Sequence, residues 1–221
     1  MKWQPFGLVL LSVVPTIAGI VRLVGIFSAT GAASADDARF VHAPGPIVLH
    51  VVATTLFGLI GAFQFSDELR RRAPRWHRVA GRVLAVAGLI AGVTGLWMAI
   101  AWDIPAALQG PLLLGTRVVV GVVIIVAIAL AWRAIVRRDV RRHEAWMIRA
   151  WAVGLGAGTQ VLVLGVASIV AGHSFEFFPR DVLMLLAWVI NAVIAELVIA
   201  RRQRSNSVAA ANTGSRALRA N

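Results

Sequence analysis

The chain has 221 residues, of which 59% are hydrophobic and 14% are charged, and its formal net charge is +12. A soluble domain has roughly a quarter of its residues charged, and the long apolar runs of this chain would leave a soluble domain without a polar surface. The sequence contains no cysteine, which excludes disulfides, thiolate catalysis and Cys-based zinc or iron–sulfur sites. Composition therefore indicates an all-α, polytopic integral membrane protein, in which any metal or haem would be bound by His, Met or carboxylate.

Six apolar segments are long enough to cross a bilayer, because a spanning helix needs about 20 mostly apolar residues. In chain order they are residues 6–27, 46–65, 79–101, 111–136, 145–171 and 182–200. The first segment has an alternative interpretation as a secretory signal, since Ala33-Ser34-Ala35 resembles a cleavage site. Its length and the presence of Pro15 and Arg22 favour an uncleaved helix.

These segments predict three parts of the chain. Residues 1–45 would hold the first span and an extracytoplasmic loop, and residues 46–200 a membrane domain of five helices. Residues 201–221 are rich in Arg, Ser, Asn and Ala without apolar periodicity, which predicts a disordered tail. The positive charge of this tail would attract it to anionic lipid headgroups.

The distribution of basic residues predicts the orientation. Most of the 22 basic residues lie in or beside the 66–78 loop, the 137–144 loop and the tail, whereas the other ends of the spans carry mainly acidic residues. Cytoplasmic loops are enriched in Arg and Lys, so both termini are predicted to lie in the cytoplasm. The basicity is therefore interpreted as a topology signal. The expected partners are the bilayer and anionic headgroups at its cytoplasmic face, with no nucleic acid.

The two basic loops share the pattern Arg-Arg-x-x-Arg-x-His, which ends at His77 in one loop and at His143 in the other. Each loop joins a helix that enters the cytoplasm to one that leaves it. One interpretation is that spans 2–3 and spans 4–5 are two copies of one hairpin, related by an axis along the membrane normal. The alternative is that two arginine-rich loops match by chance.

The matching histidines suggest a cofactor. His77 and His143 would begin the third and fifth spans at the same depth, and two imidazoles from facing helices can hold a haem b. Arg82 and Arg149 lie close by in the sequence and could bind the haem propionates. The candidate cofactor site is thus a haem b held by these four residues. The alternative is that both histidines lie among the lipid headgroups; no catalytic residue and no separate metal site is indicated.

Other polar side chains fall within the spans, where ionisable groups are costly and often functional. The residues predicted to form this polar interior are Arg22, His50, Gln64, Arg117, Gln160, Asn191 and Glu196. Arg22 and Arg117 are candidates for an anion site or for snorkelling, and Glu196 for a proton relay or for an ion pair with Arg149. The functional hypotheses are a haem redox protein, a transporter or lipid-binding protein, and a non-catalytic scaffold; enzymatic activity is left unassigned.

Several short motifs recur in a recognisable order. They are His50 with Gly58, residues 61–65, the arginines 70–72, Trp76-His77-Arg78 with Gly81-Arg82, residues 143–149, and Trp188 with Asn191 and Glu196. Over roughly residues 46–200 this order resembles the bacterial membrane family catalogued as domain of unknown function 2306. Where that family usually has an aromatic residue and an arginine, this chain has Leu84 and Gln160. The resemblance implies a multi-pass protein of the bacterial plasma membrane and supplies no activity.

Overall fold

The computed structural model describes the backbone of residues 4–28 and 38–219, and the side chains of residues 7–28 and 40–205. Over these residues the chain forms nine helices and no strand. They are α1 (Gln4–Ser28), α2 (Ala38–His42), α3 (Pro44–Gln64), α4 (Asp67–Arg72), α5 (Pro74–Ala101), α6 (Pro111–Val136), α7 (Val140–Gly154), α8 (Gly156–Ala171) and α9 (Phe177–Arg219). The prediction of an all-α protein is confirmed. The loop after α1, including Ala33-Ser34-Ala35, lies outside the described residues.

Five helices in the described ranges are long and apolar enough to cross a membrane, and α7 with α8 forms a sixth candidate span that is bent by 42°. This confirms about six spans. The third span begins earlier than predicted, at Pro74, because proline suits the first turn of a helix. His77 therefore lies within the first turn of α5. The short helix α4 occupies part of the first basic loop, and its N-terminus is capped by the Ser66 side chain.

The fifth span is broken at Leu155, between Gly154 and Gly156, whereas the sequence predicted one continuous helix. Glycine is a poor helix former, and here it also allows close approach. The indole of Trp188 packs so tightly against Gly156 that a side chain there would collide with it, and the Leu11 carbonyl approaches Gly158 in the same way. The small residues thus bring α9 and α1 close to α8.

The break changes the neighbours of the fifth span. Before it, α7 packs chiefly on α6 and α9; after it, α8 packs on α9 and α1. The other main contacts join α1 to α3, α3 to α5, and α5 to α6. The core of the bundle contains the large side chains of Phe57, Leu84, Ile128 and Trp151.

The bundle has two distinct ends. One end carries α4 and the connection from α6 to α7, and we call it the basic end because both connections are rich in arginine. The other end carries the starts of α3, α6 and α9, and we call it the opposite end. At the basic end α9 continues to Arg219, although the composition predicted disorder after residue 200. Arg and Ala favour helix, and Arg202 forms an ion pair with Glu144 that holds this extension against α7.

Candidate functional site

A cavity of about 480 Å³ lies between α3, α5, α6 and α7 near the basic end. We call it the histidine cavity because His77 from α5 and His143 from α7 both line it. Its walls are mainly apolar and include Phe57, Leu84 and Ile128. A volume between about 300 and 1,000 Å³ is typical of small-molecule sites. The structure therefore brings the two predicted histidines to one ligand-sized space.

The tautomer of His143 follows from its hydrogen bond. Its Nδ1 lies 3.0 Å from the carbonyl oxygen of Ala131 on α6. Since a carbonyl only accepts hydrogen bonds, Nδ1 carries the hydrogen, and Nε2 of the neutral ring keeps its lone pair. Metal-binding histidines are commonly held in this way, with the second nitrogen donating to a carbonyl. The half-buried ring of His77 has no hydrogen-bond partner among the described residues.

The polar part of the histidine cavity also contains arginines, one amide and the carboxylate of Glu144, which is paired with Arg202. Arg70, Arg78 and Arg82 line it. Arg70 is paired with Asp67 at 2.6 Å, whereas Arg78 and Arg82 have no carboxylate partner within the described part of the chain. The Nε2 atom of Gln64 is buried without a hydrogen-bond partner there. An unpaired buried donor costs about 1–3 kcal/mol, so this amide is suited to a bound ligand.

Arg149 does not accompany His143 in the histidine cavity. Its guanidinium donates two hydrogen bonds to the carboxylate of Glu196, at 2.6 and 2.8 Å. It also stacks over the ring of Trp146, with its central carbon 4.7 Å from the ring centroid. Six residues along a helix turn a side chain roughly 120° away, which explains the separation. Of the two alternatives for Glu196, an ion pair with Arg149 or a proton relay, the structure contains the ion pair.

The amides at mid-depth hold the break in the fifth span. Asn191 accepts a hydrogen bond from the Thr159 hydroxyl at 2.9 Å and donates one to the Ala152 carbonyl at 2.9 Å. Gln160 donates to the Met184 carbonyl at 3.3 Å. Carbonyls in the last turn of a helix lack intrahelical donors, so Asn191 satisfies one that the break would leave unpaired. These residues bind α9 to both halves of the span.

The two deep arginines have separate partners. Arg22 stacks over the ring of Phe40, with 4.6 Å between its central carbon and the ring centroid. Arg117 donates to the side-chain oxygen of Gln109, and the amide nitrogen of Gln109 donates to the Ala99 carbonyl at 3.1 Å. Arg117 thus joins the start of α6 to the end of α5.

His50 connects α3 to α5. Its Nδ1 lies 3.1 Å from the Ala91 carbonyl oxygen and 3.0 Å from the Thr94 hydroxyl. Because the carbonyl only accepts, Nδ1 is again the protonated nitrogen. His50 and His143 therefore make the same kind of contact, a hydrogen bond from Nδ1 to a backbone carbonyl of the next helix. His50 joins α3 to α5, and His143 joins α7 to α6.

Asp181, one of the acidic residues near the span ends away from the basic loops, has a structural role. It is 1% exposed, and its carboxylate accepts from the backbone N–H groups of Gly110 at 3.3 Å and Leu113 at 3.1 Å. It thereby caps α6, whose own N-cap residue has no side chain to do so. The neighbouring Arg180 donates to the Leu108 carbonyl. The sequence signal for this contact is Gly110 followed by Pro111 at the start of α6. Gly110 has no side chain to cap the helix, so the cap has to come from another segment.

Comparison with known proteins identifies the family. A family model described as a predicted membrane protein (DUF2306) matches residues 47–199. No curated protein and no solved structure matches the chain. The match extends from α3 into α9 and includes every residue that lines the histidine cavity. Because it covers well over half of the sequence, the chain belongs to the DUF2306 family of membrane proteins.

Proposed function

We propose that the protein is a membrane redox protein that binds haem b in the histidine cavity, where His77 and His143 would hold the haem iron. The observation that carries this proposal is the placement of two imidazoles, from α5 and α7, on one mainly apolar cavity. The hydrogen bond from His143 to Ala131 supports it further, because it leaves Nε2 as the nitrogen with a free lone pair. Haem b bound there would supply one-electron transfer.

Two arginines and one amide of the cavity fit the anionic side of a haem, and the carboxylate of Glu144 is neutralised by Arg202. Arg78 and Arg82 line it and have no carboxylate partner among the described residues, so their charges are available for propionates. The unpaired amide of Gln64 offers one more donor. Arg149 is assigned no part in the site, because it is committed to Glu196.

The spectrum of the purified protein tests the proposal. We expect protein made in cells with sufficient haem, and purified in mild detergent, to show a Soret band and the sharp reduced bands of a bis-His haem b. His77→Ala and His143→Ala should each abolish these bands while the protein still accumulates in the membrane. His173→Ala is the matched control, since His173 is exposed and bonds the neighbouring Ser174 carbonyl.

The competing functions predict a different result. A transporter, a lipid-binding protein or a scaffold would leave wild-type protein colourless under the same conditions. A colourless wild type contradicts the redox proposal. Retention of the full spectrum in both cavity variants would also contradict it, because the haem would then be bound elsewhere.

We further propose that the basic end faces the cytoplasm of a bacterial cell and that both termini lie inside. The arginines at this end support that orientation through the positive-inside rule. A reporter active only in the cytoplasm should function when fused after Arg72, Arg142 or Arg204, and fail after Asp103 or Glu176. Reporter activity after Asp103 would contradict this orientation.

A further inference from the structure

A second cavity, of about 490 Å³, lies between α1, α3, α7 and α9 at the basic end. We call it the lateral cavity. Its apolar wall includes Leu8, Ile148 and Ala195. Phe65 and Trp151, whose ring centroids are 5.0 Å apart, line both cavities and separate them. The lateral cavity is therefore a distinct space with walls of its own.

The break in the fifth span explains why this space exists. Near the opposite end α8 packs on both α1 and α9, whereas toward the basic end α7 packs chiefly on α6 and α9. The gap left between α1 and α9 becomes the lateral cavity. Ile194, which lines it, is 53% exposed. In a bilayer, apolar side chains exposed on a spanning helix face lipid, so the cavity opens sideways toward acyl chains.

The rim of the lateral cavity has one uncommitted positive charge. Among the three consecutive arginines of α4, Arg70 pairs with Asp67 at 2.6 Å and Arg72 with Glu68 at 3.0 Å. The middle one, Arg71, lines the cavity and has no ion-pair partner among the described residues. Arg202, also at the rim, is neutralised by Glu144. The carboxylates of Asp67 and Glu68 also line the cavity, and each is neutralised by its arginine partner on α4. The three ion pairs cancel, and the residual charge at the rim is that of Arg71.

We propose that the lateral cavity binds one membrane phospholipid, with an acyl chain along its apolar wall and the phosphate at Arg71. An apolar slot that opens to the bilayer and ends at an unpaired guanidinium matches an acyl chain that ends at a phosphate. The site is independent of the histidine cavity, because Arg71 and Ala195 line only the lateral cavity. Its loss and the loss of haem can therefore be observed separately.

Native mass spectrometry of the detergent-solubilised full chain tests the proposal, with long-chain phosphatidylglycerol as the probe. We expect wild-type protein to retain one lipid per chain. Arg71→Gln should weaken retention about tenfold, equivalent to ~1.4 kcal/mol, and Arg71→Lys should retain most of it. Arg72→Gln is the matched control, since Arg72 is the next residue and is paired with Glu68. Ala195→Trp should block the site by filling its wall.

Two further probes distinguish a lipid phosphate from a soluble phosphate ion as the group that Arg71 binds. Diacylglycerol with the same chains should bind about tenfold more weakly than phosphatidylglycerol, and inorganic phosphate should not displace the lipid. Displacement by millimolar inorganic phosphate would overturn the proposal in favour of a soluble anion. Equal losses in the Arg71→Gln and Arg72→Gln variants would overturn it too, because general surface charge would then explain retention.

Discussion

The two ends of the bundle differ in how their polar groups are satisfied. At the opposite end, Asp181 caps α6 with two hydrogen bonds, and Gln109 connects Arg117 to the end of α5. At the basic end, the buried amide nitrogen of Gln64 has no partner among the described residues, nor does the ring of His77. The unsatisfied groups of the basic end line a cavity, whereas the carboxylate of Asp181 is fully used in joining helices.

Whether a buried polar group is hydrogen-bonded within the protein helps to distinguish a structural role from a ligand-binding role. Buried polar groups are normally hydrogen-bonded, and an exception needs a specific explanation. The exception that lines the histidine cavity, the amide nitrogen of Gln64, is accounted for by the ligand proposed above. The opposite end has one exception of its own, the indole nitrogen of Trp102. That ring is packed edge-on against Phe40 and Trp97, with centroids 5.0 and 6.0 Å away, so burial in an aromatic cluster accounts for it.

The largest expected effect comes from removing the Asp181 cap at the opposite end. Asp181→Leu should reduce the free energy of unfolding by about 3 kcal/mol, because two backbone N–H groups, one of them buried, lose a charged acceptor. Asp181→Asn, which keeps one acceptor oxygen, should cost less. Unfolding of the purified protein by SDS in mixed micelles would measure both. Asp103→Asn is the control, as that carboxylate is exposed; equal losses at positions 103 and 181 would contradict the capping role.

The second effect acts at the break in the fifth span. Gly156→Ala should cost roughly 2 kcal/mol through overpacking, because the new methyl group would collide with the indole of Trp188. Gly165→Ala, on the same helix with no atom within 4 Å of its added methyl group, should be neutral or slightly stabilising. The same SDS titration applies. If both variants behave alike, close packing at Gly156 does not shape the bend.

The third prediction concerns the unpaired amide of the basic end. Gln64→Leu should stabilise the ligand-free protein by about 1 kcal/mol, since it removes a buried donor that has no acceptor. Asn191→Leu removes an amide whose oxygen and nitrogen are both hydrogen-bonded, and should instead destabilise by about 1–2 kcal/mol. Changes of opposite sign in the free energy of unfolding, measured on ligand-free protein, would support the contrast between an unpaired and a paired amide. Equal destabilisation would show that Gln64 is satisfied.

The smallest expected effect is at Arg149. A double-mutant cycle of Arg149→Gln and Glu196→Gln should give a coupling energy of about 0.5 kcal/mol, because these side chains are 30% and 56% exposed. If the proposed haem is bound, Arg149→Gln should also leave its Soret band unchanged. A lost or shifted Soret band would indicate that Arg149 contributes to the cofactor site.

The number of spans and the juxtaposition of the two histidines could be anticipated from the sequence. Spans depend on length and apolarity, which are local properties, and the shared depth of His77 and His143 follows from their matching positions at helix starts. The superposition of the two hairpins is still a prediction. The family resemblance, carried by short motifs, is confirmed by the match to residues 47–199.

The features that escaped prediction depend on contacts between distant segments. At the break at Leu155, Trp188 from far along the chain packs on Gly156. The cap on α6 comes from Asp181, on another helix. The ion pair of Arg149 with Glu196 was one of two alternatives that the sequence left open, and the contact between α7 and α9 decides between them.

The break also affects how the chain enters the bilayer. The 16 residues of α8 extend only about 24 Å at 1.5 Å per residue, which is shorter than the roughly 30 Å of hydrocarbon. The preceding α7 carries Arg141, Arg142 and Glu144 in its first turns, and charged residues oppose partitioning by the translocon. We therefore expect α8 to insert poorly by itself and to enter with α9, whose Asn191 and Trp188 already hold it. Biogenesis of this protein would then proceed through a helical hairpin at its C-terminal end.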